Sequence, residues 1–264
     1  MTILETIILS IIEGITEFLP VSSTGHLSLG AEVLGINDPS FMASFIIAIQ
    51  AGAILAVVVL YARKLFTQPA LWGRLVIAMI PTALVAVTLY SFIKDLLSNS
   101  LVIILAIGIG GVIMIAVEYW LARNKRPMEK EKLSEETTNT KLPTYKNSFI
   151  IGLYQVIAFI PGVSRSASTI IGGLIHGVGR RTVVEFSFLL AVPTMLAATG
   201  YDLLQSGGAF SVDQWHILVI GCVISFVIAI ASIKFLLAYI KRYSFIAFGI
   251  YRIIFALVLF FVLV

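Results

Sequence analysis

Residues 13–27 read EGITEFLPVSSTGHL, a polar interruption inside an apolar segment that runs from 3 to 33. The helical pattern breaks at LPVSSTG (19–25), so each half is too short to cross about 30 Å of hydrocarbon alone. Non-helical backbone at membrane depth survives only where protein or a water-filled cavity surrounds it. The segment is therefore expected to form a re-entrant helix hairpin, entering and leaving by the same side. A second apolar segment, 148–176, breaks in the same manner at IPGVSRSAS (160–168).

The rest of the chain is built for the same surroundings. Of 264 residues, 59% are hydrophobic and only 12% charged, with a mean hydropathy of +1.03. Roughly a quarter of a soluble domain is charged, so an ordinary soluble enzyme is excluded. One integral-membrane domain over 1–264 is implied. Clear spans are expected at about 41–61, 74–92, 100–121 and 243–264. Two interrupted spans lie at about 185–203, which contains Pro193, and 214–239, which contains Lys234. The net charge of +4 belongs to basic loops rather than to a nucleic-acid surface. The single cysteine, Cys222, precludes an intrachain disulfide. The start, MTILETIILSIIEGITE, lacks a basic n-region and a small-residue cleavage site, and reads as mature protein rather than a signal peptide.

The two broken segments resemble each other. EFLPVSST (17–24) aligns with AFIPGVSR (158–165), placing Pro20 on Pro161 and Ser23 on Ser164. SFIIAIQ (44–50) falls on SFLLAVP (187–193), and SLVIIL (100–105) on SFIAFG (244–249), all at a spacing near 140. A common spacing signals an internal repeat. The loops 62–74, 122–147, 179–182 and 241–242 are basic, whereas 94–99 and 202–213 are not. The positive-inside rule assigns the first four to the cytoplasm. That assignment alternates correctly only if both broken segments return to their side of entry. Each repeat then holds one hairpin and three transmembrane helices, and the odd number inverts the second repeat. The expected fold is an all-α polytopic membrane protein of two inverted-topology repeats. Repeat 1 covers about 1–121, a solvated cytoplasmic linker about 122–147, and repeat 2 about 148–264. The hairpin tips are expected to meet near the midplane.

Those tips carry the chemistry. Glu13 and Glu17, spaced i, i+4, share a helix face. An ionised acid at membrane depth costs about 2.5–3.5 kcal/mol on insertion scales. A divalent cation, a proton or an arginine would offset that cost, and hard oxygen ligands favour Mg²⁺ or Ca²⁺. The bland alternative places both acids in water at the hairpin mouth. Arg165, among Ser164, Ser166, Ser168 and Thr169, suits bidentate binding of phosphate oxygens. Its alternative is a salt bridge to an acid of the first hairpin, which does not exclude phosphate binding in a complex. Ser22, Ser23, Thr24 and His26 supply hydroxyls and an imidazole for nucleophilic or acid–base work. His176 and His216 read as structural. Acids, arginine, hydroxyls and histidine together are what phosphoryl transfer requires.

EGITEFLPVSSTGHL and PGVSRSAST resemble the two signatures of the bacterial undecaprenyl-pyrophosphate phosphatase family, also called bacitracin-resistance proteins. The resemblance covers the whole chain. It implies removal of the terminal phosphate from undecaprenyl pyrophosphate in the bacterial plasma membrane. That reaction regenerates the carrier lipid for peptidoglycan and other envelope polymers. It also implies a divalent cation, Mg²⁺ or Ca²⁺, a polyprenyl pyrophosphate partner and a homodimer. By the resemblance the acid pair falls on Glu13 and Glu17, the Ser-Ser-Thr-Gly-His run on residues 22–26, and the Ser-Arg pair on Ser164 and Arg165. One departure is Ala167, where the family commonly has glycine; alanine is disfavoured if that position needs positive φ.

On this reading Glu13 and Glu17 hold the metal. Arg165, Ser164, Ser166, Ser22 and Thr24 bind the phosphates. Ser23, His26, Glu17 and Arg165 are catalytic. Ser23 is the first choice of nucleophile with His26 as proton acceptor, and attack by His26 or directly by water remains open. The site is expected to open to the outer leaflet. A polyprenyl-phosphate lipid transporter is the rival function, because inverted repeats with broken hairpins are also transporter architecture.

Overall fold

Local chemistry explains where the helices begin. The computed structural model describes residues 1–36, 38–88, 99–124, 142–206 and 212–263. Within these residues the chain is helical, without strands. Helix α1, Ile3–Thr16, opens with a capping box: Glu5 N–H donates to the Thr2 hydroxyl and Thr2 N–H to the Glu5 carboxylate. Helix α2 is Ser23–Val33 and α3 is Pro39–Leu60, with Asp38 capping and proline at the first helical position. A short α4, Ala62–Thr67, leads to α5, Pro69–Thr88. Asn99 caps α6, Ser100–Arg123, and Thr144 caps α7, Tyr145–Ile157. Helices α8, Arg165–Ile175, α9, Arg180–Ser206, α10, Val212–Tyr239, and α11, Ile246–Leu263, complete the chain.

Among the described residues, five helices are long and apolar enough to cross a membrane: Phe41–Leu60, Pro69–Thr88, Ser100–Arg123, Arg180–Ala198 and Gln214–Tyr239. These correspond to five of the six expected spans. The sixth, about 243–264, is the shorter apolar helix Ile246–Val262. The chain is thus a multi-pass membrane protein. Its outward faces carry apolar side chains such as Leu84, Val112, Val223 and Ile254. Hydroxyls inside α1 do not disturb the helix. Thr6, Ser10 and Thr16 each donate to the carbonyl one turn back. Most of the linker expected at 122–147, and the loops at 94–99 and 202–213, fall largely or wholly outside the described residues or side chains.

The helices pack through small residues, as they must where lipid replaces water. A side chain on Gly52 of α3 would come within 2.2 Å of the Cys222 carbonyl oxygen of α10. One on Gly152 of α7 would come within 2.0 Å of the Ala78 carbonyl oxygen of α5. Helix α1 packs on α10, α7 on α5, α6 on α11, and α3 on both α10 and α9.

The two ends of the bundle differ in chemistry. Helix α3 has 22 residues, a length of about 33 Å at about 1.5 Å rise per residue. At its Phe41 end lies an apolar cluster that gathers Met1, Leu9, Leu27, Leu34, Phe41 and Leu218. At its other end, charges join segments distant in sequence. Glu185 pairs with Lys64 and, at 2.9 Å, with Arg181. Glu118 receives both terminal nitrogens of Arg180, at 2.5 and 2.9 Å, and the Phe245 N–H at 2.9 Å. Arg74 donates to the Pro143 carbonyl at 2.6 Å. Residues from all four basic loops, or directly beside them, therefore meet at one end.

Candidate active site

Both broken segments turn at a serine with unusual backbone. Ser22, just before α2, has φ 75° and ψ 96°, and Ser164, just before α8, has φ 75° and ψ 117°. They are the only non-glycine residues with positive φ among those described. Such conformations cost on the order of 1–3 kcal/mol and persist where the surroundings over-determine them. The two turns differ by one residue. Pro20 is followed by Val21 and Ser22, but Pro161 by Gly162, Val163 and Ser164. The equivalent helix caps are thus Ser22 and Ser164, not Ser23 and Ser164 as the proline-anchored alignment has it. Ser23 and Arg165 consequently occupy the same first helical position of α2 and α8.

The tips interlock. The Ser166 hydroxyl donates to the Phe18 carbonyl at 2.8 Å, and the Phe18 ring meets Phe188 of α9 edge-on at 5.4 Å between centroids. Arg165 reaches across from α8 to Glu17, with Nη2 3.0 Å from Oε1, while its Nη1 donates to the Ser187 carbonyl at 3.0 Å. The other oxygen of Glu17 accepts from the Ser23 hydroxyl at 2.7 Å. One carboxylate therefore connects a serine at one helix N-terminus to an arginine at another. The salt bridge is largely buried, with the Arg165 side chain 13% exposed and that of Glu17 8%.

Glu13 lies one turn back on α1 and is fully buried, and neither of its carboxylate oxygens has a hydrogen-bond partner among the described residues. A carboxylate removed from water in this way needs a proton or a cation. Among the described residues no group of three or more His, Cys, Asp or Glu is arranged to hold a metal ion. A cation here would find the unpartnered Glu13 carboxylate, with Glu17 one turn away but bonded at rest to Arg165 and Ser23, and would complete its shell with water and phosphate oxygens. Mg²⁺ binds in that manner, so the residues present fit a hard divalent ion.

His26 faces elsewhere. Its Nδ1 lies 2.7 Å from the Ser22 carbonyl and its Nε2 2.7 Å from the Tyr251 hydroxyl, while the Phe255 ring stacks on it at 3.8 Å. A carbonyl only accepts, so Nδ1 carries the proton, and in the neutral ring Nε2 accepts from Tyr251. In this arrangement Glu17, rather than His26, contacts the Ser23 hydroxyl. Thr24 is exposed, and Ser166 is engaged with Phe18. Ala167 lies within α8 and donates its N–H to the Ser164 hydroxyl at 3.2 Å. The position needs no positive φ, which explains why alanine is accommodated. His176 bonds the Gly172 carbonyl of its own helix at 2.9 Å.

Helix α11 adds residues that the sequence reading passed over. Tyr251 and Phe255 hold His26. Arg252 between them is fully buried and reaches both tips, donating to the carbonyls of Pro20 and Val163. A signal was present: an arginine in the middle of an apolar span marks function by default.

Comparison with known proteins finds relatives over nearly the whole chain. The family described as bacitracin resistance protein BacA matches residues 6–258. The chain is similar to an undecaprenyl-diphosphatase of Persephonella marina, 49% identical over 96% of each chain. It is 47% identical to one of Aquifex aeolicus, over 98% of this chain and 97% of that one. With undecaprenyl-diphosphatase 1 of Clostridioides difficile it shares 42% identity over 97% and 94%.

Proposed function

We infer function from the premise that this chain belongs to the bacitracin resistance protein BacA family. It is an undecaprenyl-diphosphatase, a phosphatase that cleaves the anhydride bond of undecaprenyl pyrophosphate and so returns the monophosphate carrier lipid for cell-wall synthesis. The observation that carries the mechanism is Glu17, bonded to the Ser23 hydroxyl at 2.7 Å and to Arg165 at 3.0 Å.

In the proposed sequence the Ser23 oxygen attacks the terminal phosphorus as its proton passes to Glu17. The bond to the bridging oxygen breaks, and undecaprenyl phosphate leaves with that oxygen and its electron pair. A phosphoserine remains. Water then attacks the same phosphorus, the Ser23 oxygen departs and takes a proton, and inorganic phosphate is released. His26, three residues beyond Ser23, would accept the water proton at Nε2 only once the Tyr251 hydroxyl that donates to that nitrogen at rest turns aside. Arg165 and the N–H groups at the starts of α2 and α8 neutralise the phosphate oxygens. Ser22 and Ser164 add hydroxyls at those starts. Glu13 would hold a divalent cation, Mg²⁺ or Ca²⁺. Glu17 would join it through Oε1 once Arg165 turns to phosphate, the other Glu17 oxygen being the one that takes the Ser23 proton. When bound, the ion supplies further neutralisation of phosphate charge.

The proposed frame is a pair of inverted repeats, residues about 1–121 and 148–264, joined by a cytoplasmic linker at about 122–147. Each has a re-entrant hairpin. Its support is positional. Both ends of the first hairpin lie at the apolar cluster around Phe41, and both ends of the second adjoin the basic end near Arg74 and Glu118. The packing of α1 on α10 repeats as α7 on α5, and that of α2 with α11 as α8 with α6. With basic loops inside, the first hairpin opens to the outer leaflet of a bacterial plasma membrane. A membrane-impermeant thiol reagent should label Glu32→Cys in intact cells; labelling only after permeabilisation would overturn this topology. A homodimer is proposed from the family resemblance alone.

Phosphate release tests the function directly. Purified protein in detergent should release phosphate from a polyprenyl pyrophosphate. Chelation should lower the rate by at least about 100-fold, with recovery on adding Mg²⁺ or Ca²⁺. Detergent abolishes transport but not hydrolysis, so no release would leave the lipid transporter as the better reading.

A further inference from the structure

Arg252 presents an unusual hydrogen-bond inventory. A guanidinium has five N–H donors, and each is matched here by a main-chain carbonyl. Nε donates to Ile107 at 3.1 Å. Nη1 donates to Pro20 at 3.3 Å and Val163 at 3.0 Å. Nη2 donates to Ala106 at 3.2 Å and Gly162 at 3.0 Å. None of these partners is a carboxylate, although the side chain is fully buried. The carbonyls come from three places: helix α6, the first tip and the second tip. Helix α6 makes room with Gly110, where a side chain would lie 2.3 Å from Nη2.

Burying a cation at membrane depth for packing alone is costly, and an apolar residue would fill the slot more cheaply. What the guanidinium does that an apolar side chain cannot is fix peptide planes. A trans peptide is planar, so a carbonyl held on one side directs the following N–H to the other. Holding the Val163 carbonyl therefore orients the Ser164 N–H, a donor at the start of α8 immediately before Arg165. Holding the Pro20 carbonyl anchors the turn that leads to Ser22 and Ser23. The same fork grips both, so the offset between Ser23 and Arg165 is set by one rigid, planar group.

We propose that Arg252 is a positioning residue for the phosphatase reaction: its guanidinium locks the two hairpin tips in register, so that Ser23 and the Arg165 anion site face one phosphoryl group. This rests on the phosphatase reading, with Ser23 and Arg165 in the roles given above. Lysine keeps the charge but is a point donor rather than a fork. It cannot hold five carbonyls.

The test uses the full chain in detergent, with wild-type release of phosphate as the check on the functional reading itself. If wild type releases none, the function fails; if it does, the variants judge Arg252. In folded Arg252→Lys, kcat should fall about 100-fold, the scale of an ångström-sized misplacement, with KM within about threefold. In an Arg165→Ala background the same change should cost less than about threefold, because the alignment it sets has lost its object. A residue that only supports the fold would give losses that multiply. Multiplicative losses, or a folded Arg252→Lys with more than a third of wild-type kcat, overturn the proposal. If Arg252→Lys does not fold, Gly110→Ala displaces the guanidinium while leaving the charge, and is judged by the same criteria.

Discussion

Replacing Ser23 with alanine should lower phosphate release by at least about 10³-fold, the scale seen when a nucleophile is removed from a site whose other groups remain. The fold should survive, since the change removes one hydroxyl whose hydrogen bond goes to Glu17. Binding should change little, because Arg165 and the two helix N-termini are untouched. Rapid quenching with labelled substrate should place phosphate on the peptide that contains Ser23 in wild type and on none in the variant. Label on His26 would transfer the nucleophile to the imidazole. A variant that keeps more than about a hundredth of the rate would point to direct attack by water.

Glu17→Gln should be nearly as damaging, for two separable reasons. The amide cannot take the Ser23 proton, which costs about 10²–10⁴-fold in rate. It also leaves Arg165 without its charged partner. Breaking a buried pair by removing one member destabilises by about 3–5 kcal/mol, whereas replacing both members with apolar groups is often neutral. The double variant Glu17→Leu, Arg165→Met should therefore be more stable than Glu17→Gln while remaining inactive. Glu17→Gln with more than a tenth of wild-type activity would remove Glu17 as the base. Failure of the double variant to recover stability would show that the ion pair is not the source of the loss.

Much of this site is legible in the sequence because its residues are polar in an apolar chain. Glu13, Glu17, Ser23, His26 and Arg165 all stand out, and the helix breaks at LPVSSTG and IPGVSRSAS are where the structure places its turns. The register between the tips was less legible. Aligning proline with proline hides the extra residue Gly162, whose backbone at φ 93° lengthens the second turn. Only the cap geometry reveals that Ser23 and Arg165 are counterparts. Arg252, Tyr251 and Phe255 went unread because an apolar span absorbs them. Their partners are some 90 to 230 residues away in sequence. Glu118 and Glu185 were likewise absorbed into helices, and their contacts with Arg180, Lys64 and Arg181 tie the basic end together.

The pairing of Arg165 with Glu17 also bears on how a turnover ends. An arginine that binds phosphate with nothing waiting for it would hold inorganic phosphate as firmly as it held the substrate's terminal group. On the proposed mechanism the departing phosphate would leave behind an acid 3.0 Å from the guanidinium. The ion pair that reforms offsets the lost phosphate contacts. Product and resident carboxylate thus compete for one cation, and the resident is tethered, so its effective concentration never falls. A site built in this way would release phosphate more readily than one whose arginine has no resident acid.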